Sequence, residues 1–115
     1  MKRIVIAVAA VAFLAGASLQ AQDAKQAATG KQIYTAKECS KCHLINGKGN
    51  KTGGKLDGIA AKVTPADMRK WLTNPAEMEK GLDHKPKVKM SSKIAELKLK
   101  DADIDALVAY LQTLK

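Results

Sequence analysis

Large aromatic side chains are scarce in this 115-residue chain: phenylalanine and tryptophan occur once each and tyrosine twice. Phe13 lies in an apolar N-terminal stretch, so beyond it only Tyr34, Trp71 and Tyr110 remain to fill a core. A domain of this size is already near the limit at which side chains alone supply adequate stability. A bulky apolar cofactor at its centre would make good the deficit. Strand signals are absent as well, and neither an internal repeat nor a linker divides the sequence, which leaves one all-α domain of several short helices with long connections. No apolar run is long enough to cross a bilayer as a helix; the longest extends from Ile4 to Ala15. The lysines are not interleaved with aromatics, which argues against a nucleic-acid surface.

The N-terminal apolar run has a different use. Lys2 and Arg3 precede it and small residues follow it, the pattern of a secretory signal peptide over residues 1–21 with cleavage after Ala21. A retained anchor is the alternative, and no cysteine near the cleavage region offers a lipidation site. Residues 22–115 then form a single domain in the periplasm. Removing Lys2 and Arg3 from the formal charge of +9 leaves about +7, a balance that favours acidic partners.

Helix signals organise that domain. Residues 24–36 are rich in Ala, Lys and Gln and suit a helix leading to the cysteines. Asn46 to Gly58 is rich in glycine and lysine and reads as an irregular exposed loop. Thr64-Pro65-Ala66-Asp67 combines an N-cap, a proline at the first helical position and a carboxylate near the free amides, so a helix is expected to about Thr73. Asn74-Pro75-Ala76-Glu77 repeats the start for a shorter helix ended near Gly81. Ile104, Leu107, Val108 and Leu111 share one face of a last helix, whose start carries Asp101, Asp103 and Asp105 at the positive end of its dipole.

Both cysteines and one of the two histidines fall within Cys39-Ser40-Lys41-Cys42-His43. C-x-x-C-H is the attachment pattern of c-type haem: two thiols form thioethers to the vinyl groups, and the adjacent imidazole reaches the iron. Export also permits a Cys39–Cys42 disulfide. A zinc site recruiting Cys39, Cys42, His43 and His84 is disfavoured, because adjacent Cys42 and His43 are poorly placed on one tetrahedral ion. Gly49-Asn50-Lys51-Thr52-Gly53-Gly54-Lys55-Leu56 nearly spells a phosphate-binding loop, but Leu56 replaces the hydroxyl residue that would hold magnesium, and no strand precedes it.

With these motifs in order, the chain resembles the class I monohaem cytochromes c over essentially all of residues 22–115. Gly30-Lys31-Gln32-Ile33-Tyr34 looks like the family's first helix, Leu107-Val108-Ala109-Tyr110-Leu111 like its last, and Trp71-Leu72-Thr73-Asn74-Pro75 and Lys89-Met90 like its central helix and methionine loop. The resemblance implies one covalent haem on Cys39 and Cys42, His43 as proximal iron ligand, and an electron carrier, not an enzyme. It also lets the Trp71 indole reach a haem propionate, although a core tryptophan bonded to backbone fits the residue equally. Three positions depart from the family pattern. Gly53-Gly54-Lys55-Leu56 stands where the family often has Gly-Pro-x-Leu, whose proline offers its carbonyl to the proximal imidazole, and Lys55 is expected to supply that carbonyl; Ser91 stands where a proline often follows the methionine, and Lys100 where a hydroxyl residue often caps the last helix.

For the distal ligand, a thioether stabilises ferrous iron and closes the site. Met68 belongs within a helix and reads as core, and Met78 falls in the short helix. Met90 lies in a lysine-rich connection able to fold across the haem face and is the favoured ligand, with His84 the imidazole rival. An open or exchangeable distal position would instead make a haem enzyme or small-ligand sensor. Lys41, Lys48, Lys51 and Lys55 after the haem motif, with Lys85, Lys87, Lys89 and Lys93 around Met90, would form a positive ring for acidic redox partners, including membrane redox complexes.

Overall fold

The computed structural model describes the backbone from residue 14 and the side chains from residue 23. The expected leader, residues 1–21, therefore lies outside the described residues for its first 13 positions, and its remaining side chains are likewise outside. Six α-helices follow in the described chain: α1 (Leu14–Ala36), α2 (Ile59–Lys62), α3 (Pro65–Thr73), α4 (Pro75–Glu79), α5 (Met90–Leu97) and α6 (Asp101–Gln112). The fold is all-α, as expected, and a 3-10 turn over Cys39–Lys41 follows α1.

The first and last helices form the frame, and α1 crosses α6 in the most extensive helix contact. Gly30 permits it. A Cβ added there would stand 1.9 Å from the Ala106 carbonyl oxygen and 2.8 Å from Tyr110 Cβ, so the two backbones approach closer than any other residue allows. One turn further on, Tyr34 meets Tyr110 edge to face with ring centroids 5.7 Å apart, a favoured aromatic geometry. Tyr34, Leu72, Ile104 and Leu107 make the central cluster from α1, α3 and α6.

The α3 start is as the sequence dictates: Thr64 Oγ1 accepts the Asp67 N–H at 3.2 Å, with Pro65 at the first helical position. Met68 is 3% exposed and belongs to the core, as read from its place within the helix. The α6 start lacks a hydroxyl cap at Lys100, and Asp103 makes up part of the loss by accepting the Lys100 N–H at 3.0 Å. An exposed Arg69–Asp105 ion pair joins α3 to α6.

Two expectations are corrected. The segment after the haem motif is not strand-free: β1 (Leu44–Ile45) pairs antiparallel with β2 (Lys48–Gly49), with Ile45 opposite Lys48. Asn46 and Gly47 turn the hairpin with φ of 50° and 75°, the left-handed pair that a two-residue type I′ turn demands. Secondly, Met90 is not in a free connection but is the first residue of α5.

Candidate haem site

The haem motif is shaped by the 3-10 turn and the hairpin that follows it. The Cys42 and His43 N–H groups both donate to the Cys39 carbonyl, at 3.2 and 3.0 Å. This tight turn brings together the two cysteines, which are not disulfide-bonded to each other, and the histidine. All three are half-buried, and burial pushes the Cys39 thiol above its ordinary range.

His43 is oriented by a backbone group. Its Nδ1 lies 3.2 Å from the Gly54 carbonyl oxygen, and since a carbonyl only accepts, Nδ1 carries the proton. The Nε2 lone pair is then left for a metal, the usual arrangement for a ligating histidine. The expected carbonyl was that of Lys55, so the contact shifts by one residue. The reason lies in the bridge: Leu44 accepts the Leu56 N–H at 2.9 Å and pairs with Lys55. The Gly54 carbonyl belongs to the same bridge, accepting the Leu44 N–H at 3.4 Å, and is thereby held beside the motif, where the ring also reaches it. Gly53 completes the contact, since a Cβ there would be 2.8 Å from the Cys42 carbonyl oxygen and 3.1 Å from His43 Cε1. Burial lowers the imidazole's proton affinity, and the Gly54 carbonyl partly offsets this.

The remaining candidates separate by burial. Met90 is half-buried and packs, with Cys39, Leu56, Ile94 and Leu99, against the central cluster. Met78 is half-buried on α4, whereas His84 is exposed in the connection between α4 and α5. Trp71 is half-buried on α3. Among the described residues no group of three or more His, Cys, Asp or Glu side chains is placed to share a metal ion, so His84 does not complete a zinc set with the cysteine motif.

The donor set suits a haem. Two thiols are three positions apart, an imidazole is held by its Nδ1, and a ring of half-buried aliphatic side chains and a thioether shares one core cluster with Cys39. Tyr34 Oη, beside that cluster, is buried with no partner among the described protein groups. Sequence reading missed Glu79 and Lys37, whose side chains bond the two ends of α5. No sequence signal marks them, because their partners, mostly backbone groups, lie 12 and 60 positions away.

Together, the fold and the motif define a haem protein of the monohaem class I type. The family model for cytochrome c matches residues 27–115, and the chain belongs to the cytochrome c family. It carries a covalently attached c-type haem with iron, on the C-x-x-C-H motif of Cys39 and Cys42, and serves haem-based electron transfer. Among curated proteins it is similar to cytochrome c2 of Rhodospirillum rubrum, with 32% identity over an alignment that covers 93% of this chain and 92% of that one. No solved structure matches it.

Proposed function

We propose that this protein is a periplasmic one-electron carrier whose haem iron is held between His43 and Met90. The observation that carries the reading is the shared packing of Cys39 and Met90 on one core cluster, with the His43 ring fixed through Nδ1 on Gly54. When bound, the haem supplies the redox change. The protein's residues would do the rest: Cys39 and Cys42 would tether the ring, His43 and Met90 would ligate the iron, and the half-buried aliphatics would keep water from it. Iron ligated by both residues would have no position for substrate, which favours a carrier over an enzyme. Methionine opposite histidine raises the potential.

Export by a cleaved leader over residues 1–21 gives access to periplasmic partners, and by family resemblance the Trp71 indole would reach a propionate. The partners are redox proteins with acidic docking surfaces. Lys85, Lys87 and Lys89 are exposed around Val88, which is 39% exposed, in the segment that leads to Met90. An apolar centre with a positive rim suits brief, steered encounters.

The deciding experiment is a spectrum and a mass on protein matured in a host with haem-attachment machinery. The denatured protein, starting at Gln22, should retain one haem. Oxidised wild type should show the long-wavelength sulfur-to-iron charge-transfer band, lost in Met90→Ala and kept in Met78→Ala. A band that survives in Met90→Ala transfers the role to another methionine; its absence from wild type favours His84; a bare polypeptide removes the haem reading altogether.

A further inference from the structure

The helix that begins with Met90 is held at both ends by opposite charges from distant parts of the chain. At its N-terminus the Glu79 carboxylate, from α4, accepts two hydrogen bonds from Ser91: the backbone N–H at 2.8 Å and Oγ at 2.9 Å. At its C-terminus the Lys37 ammonium, from the segment between α1 and the cysteines, donates to the Leu97 carbonyl at 3.0 Å. All of these contacts are partly buried. Each charge meets the helix end whose partial charge it complements, and each satisfies a backbone group that an isolated helix leaves free.

The sequence of α5 makes such outside help necessary. Its own N-cap is Lys89, whose side chain accepts nothing, and its C-cap Lys98 sits in the left-handed region at φ 50°. The helix is only eight residues long, too short to be stable by itself. Ser91 adds to the need. A proline there would have no N–H to satisfy; serine has one, and Glu79 takes it.

We propose that Glu79 and Lys37 are positioning residues that fix α5 and thereby hold the Met90 thioether on the iron. The inference rests on the reading of Met90 as distal ligand. The thioether is a weak, displaceable ligand, so its hold depends on how seldom α5 lifts away. Glu79 anchors the residue next to Met90, and Lys37 joins the far end of the same helix to the segment that carries Cys39. Ligand loop and haem-tethering segment are thus tied together through α5.

Exogenous imidazole reads the lifted population directly, because its apparent affinity scales with the fraction of molecules whose distal position is open. The experiment is an imidazole titration of oxidised holoprotein, followed by loss of the sulfur-to-iron band. Glu79→Ala should raise the apparent affinity about tenfold, since a charged, partly buried hydrogen-bond pair is lost. Glu79→Gln, which keeps an acceptor without the charge, should fall between. Lys37→Met should shift in the same direction, and Lys37→Arg should restore wild-type behaviour. Thr64→Ala, which removes the α3 cap, is the control for general stability loss and should leave imidazole affinity unchanged. With the band present in wild type and lost in Met90→Ala, an unchanged affinity in Glu79→Ala and Lys37→Met overturns the clamp alone. An equal rise in Thr64→Ala also overturns it, since the titration would then report global loosening. A wild type without the band defeats the clamp and the Met90 reading together.

Discussion

Gly30→Ala isolates the contact on which the frame of the fold depends. The added Cβ would stand 1.9 Å from the Ala106 carbonyl oxygen, 2.6 Å from its carbon and 2.8 Å from Tyr110 Cβ. Ordinary contact with an oxygen needs about 3.3 Å, so α1 and α6 must separate by about 1.4 Å. The two nearest obstructing atoms are backbone and Tyr110 Cβ is fixed by its own backbone, so no rotamer change can relieve them. Overpacking of a core costs about 1–3 kcal/mol, and a rigid obstruction belongs at the top of that range. Alanine returns up to about 1 kcal/mol as the better helix former. The net loss is then about 2 kcal/mol, or about 10 °C in Tm for a domain of this size. The check is guanidinium and thermal unfolding of oxidised holoprotein, with Gly81→Ala beside it. At Gly81 the nearest atom to an added Cβ is the Met78 carbonyl oxygen at 3.6 Å, an ordinary contact, so that variant should be neutral or slightly stabilised. A Gly30→Ala protein as stable as wild type would refute the reasoning, since helix propensity would then outweigh the packing term.

Three further outcomes are expected. Tyr34→Phe should change stability at neutral pH by less than about 1 kcal/mol, because among the described residues the hydroxyl has no partner to lose. Burial holds the Tyr34 phenol up to about 12 in the folded protein; the unfolded chain ionises near 10, so wild type should lose stability as pH rises from about 10 to 12. Comparing denaturation midpoints over that range should show a shallower loss in Tyr34→Phe. Gly47→Ala should cost about 1 kcal/mol by chemical denaturation, since φ of 75° suits glycine although the surrounding space is open. Lys87→Glu with Lys89→Glu should slow electron exchange with an acidic partner more than Lys31→Glu with Lys115→Glu, and added salt should shrink the difference; stopped-flow rates indifferent to salt would remove the docking argument.

The parts of the fold legible in the sequence are those written in local chemistry. Thr64-Pro65-Ala66-Asp67 states a helix start in four residues, and the structure uses the hydroxyl and the proline as read. The three- and four-residue spacings from Ile104 to Leu107 and Val108 likewise carry the α6 face. Asn46-Gly47 was equally local evidence for a hairpin, but the flanking strands are two residues each, too short to show alternation. α5 was illegible for another reason. Glu79 and Lys37 bond its two ends, and apart from Ser91 Oγ those bonds end on backbone atoms that no residue identity advertises. The haem motif was legible because its chemistry is contiguous; the Gly54 carbonyl was misplaced by one residue because the register of the Leu44–Lys55 bridge decides it.

The lysines show why net charge alone is a poor guide to this surface. Lys41 pairs with Glu38 at 2.6 Å, Lys70 lies 3.8 Å from Asp67 and Lys93 lies 3.6 Å from Glu96, each three residues away on the same stretch of chain. Such exposed pairs contribute little to stability, yet each cancels a charge locally and weakens the field that a partner would feel. Lys37 is withdrawn differently, since its ammonium is half-buried on the end of α5. Of the eight lysines expected to ring the haem edge, Lys41 and Lys93 are thus the weakest contributors. Lys48, Lys51 and Lys55 lie exposed on the hairpin side, and Lys85, Lys87 and Lys89 on the approach to Met90. The steering field should therefore have two lobes, one beside His43 and one beside Met90. A partner that reads both is oriented toward the iron, and one that reads only net charge is not.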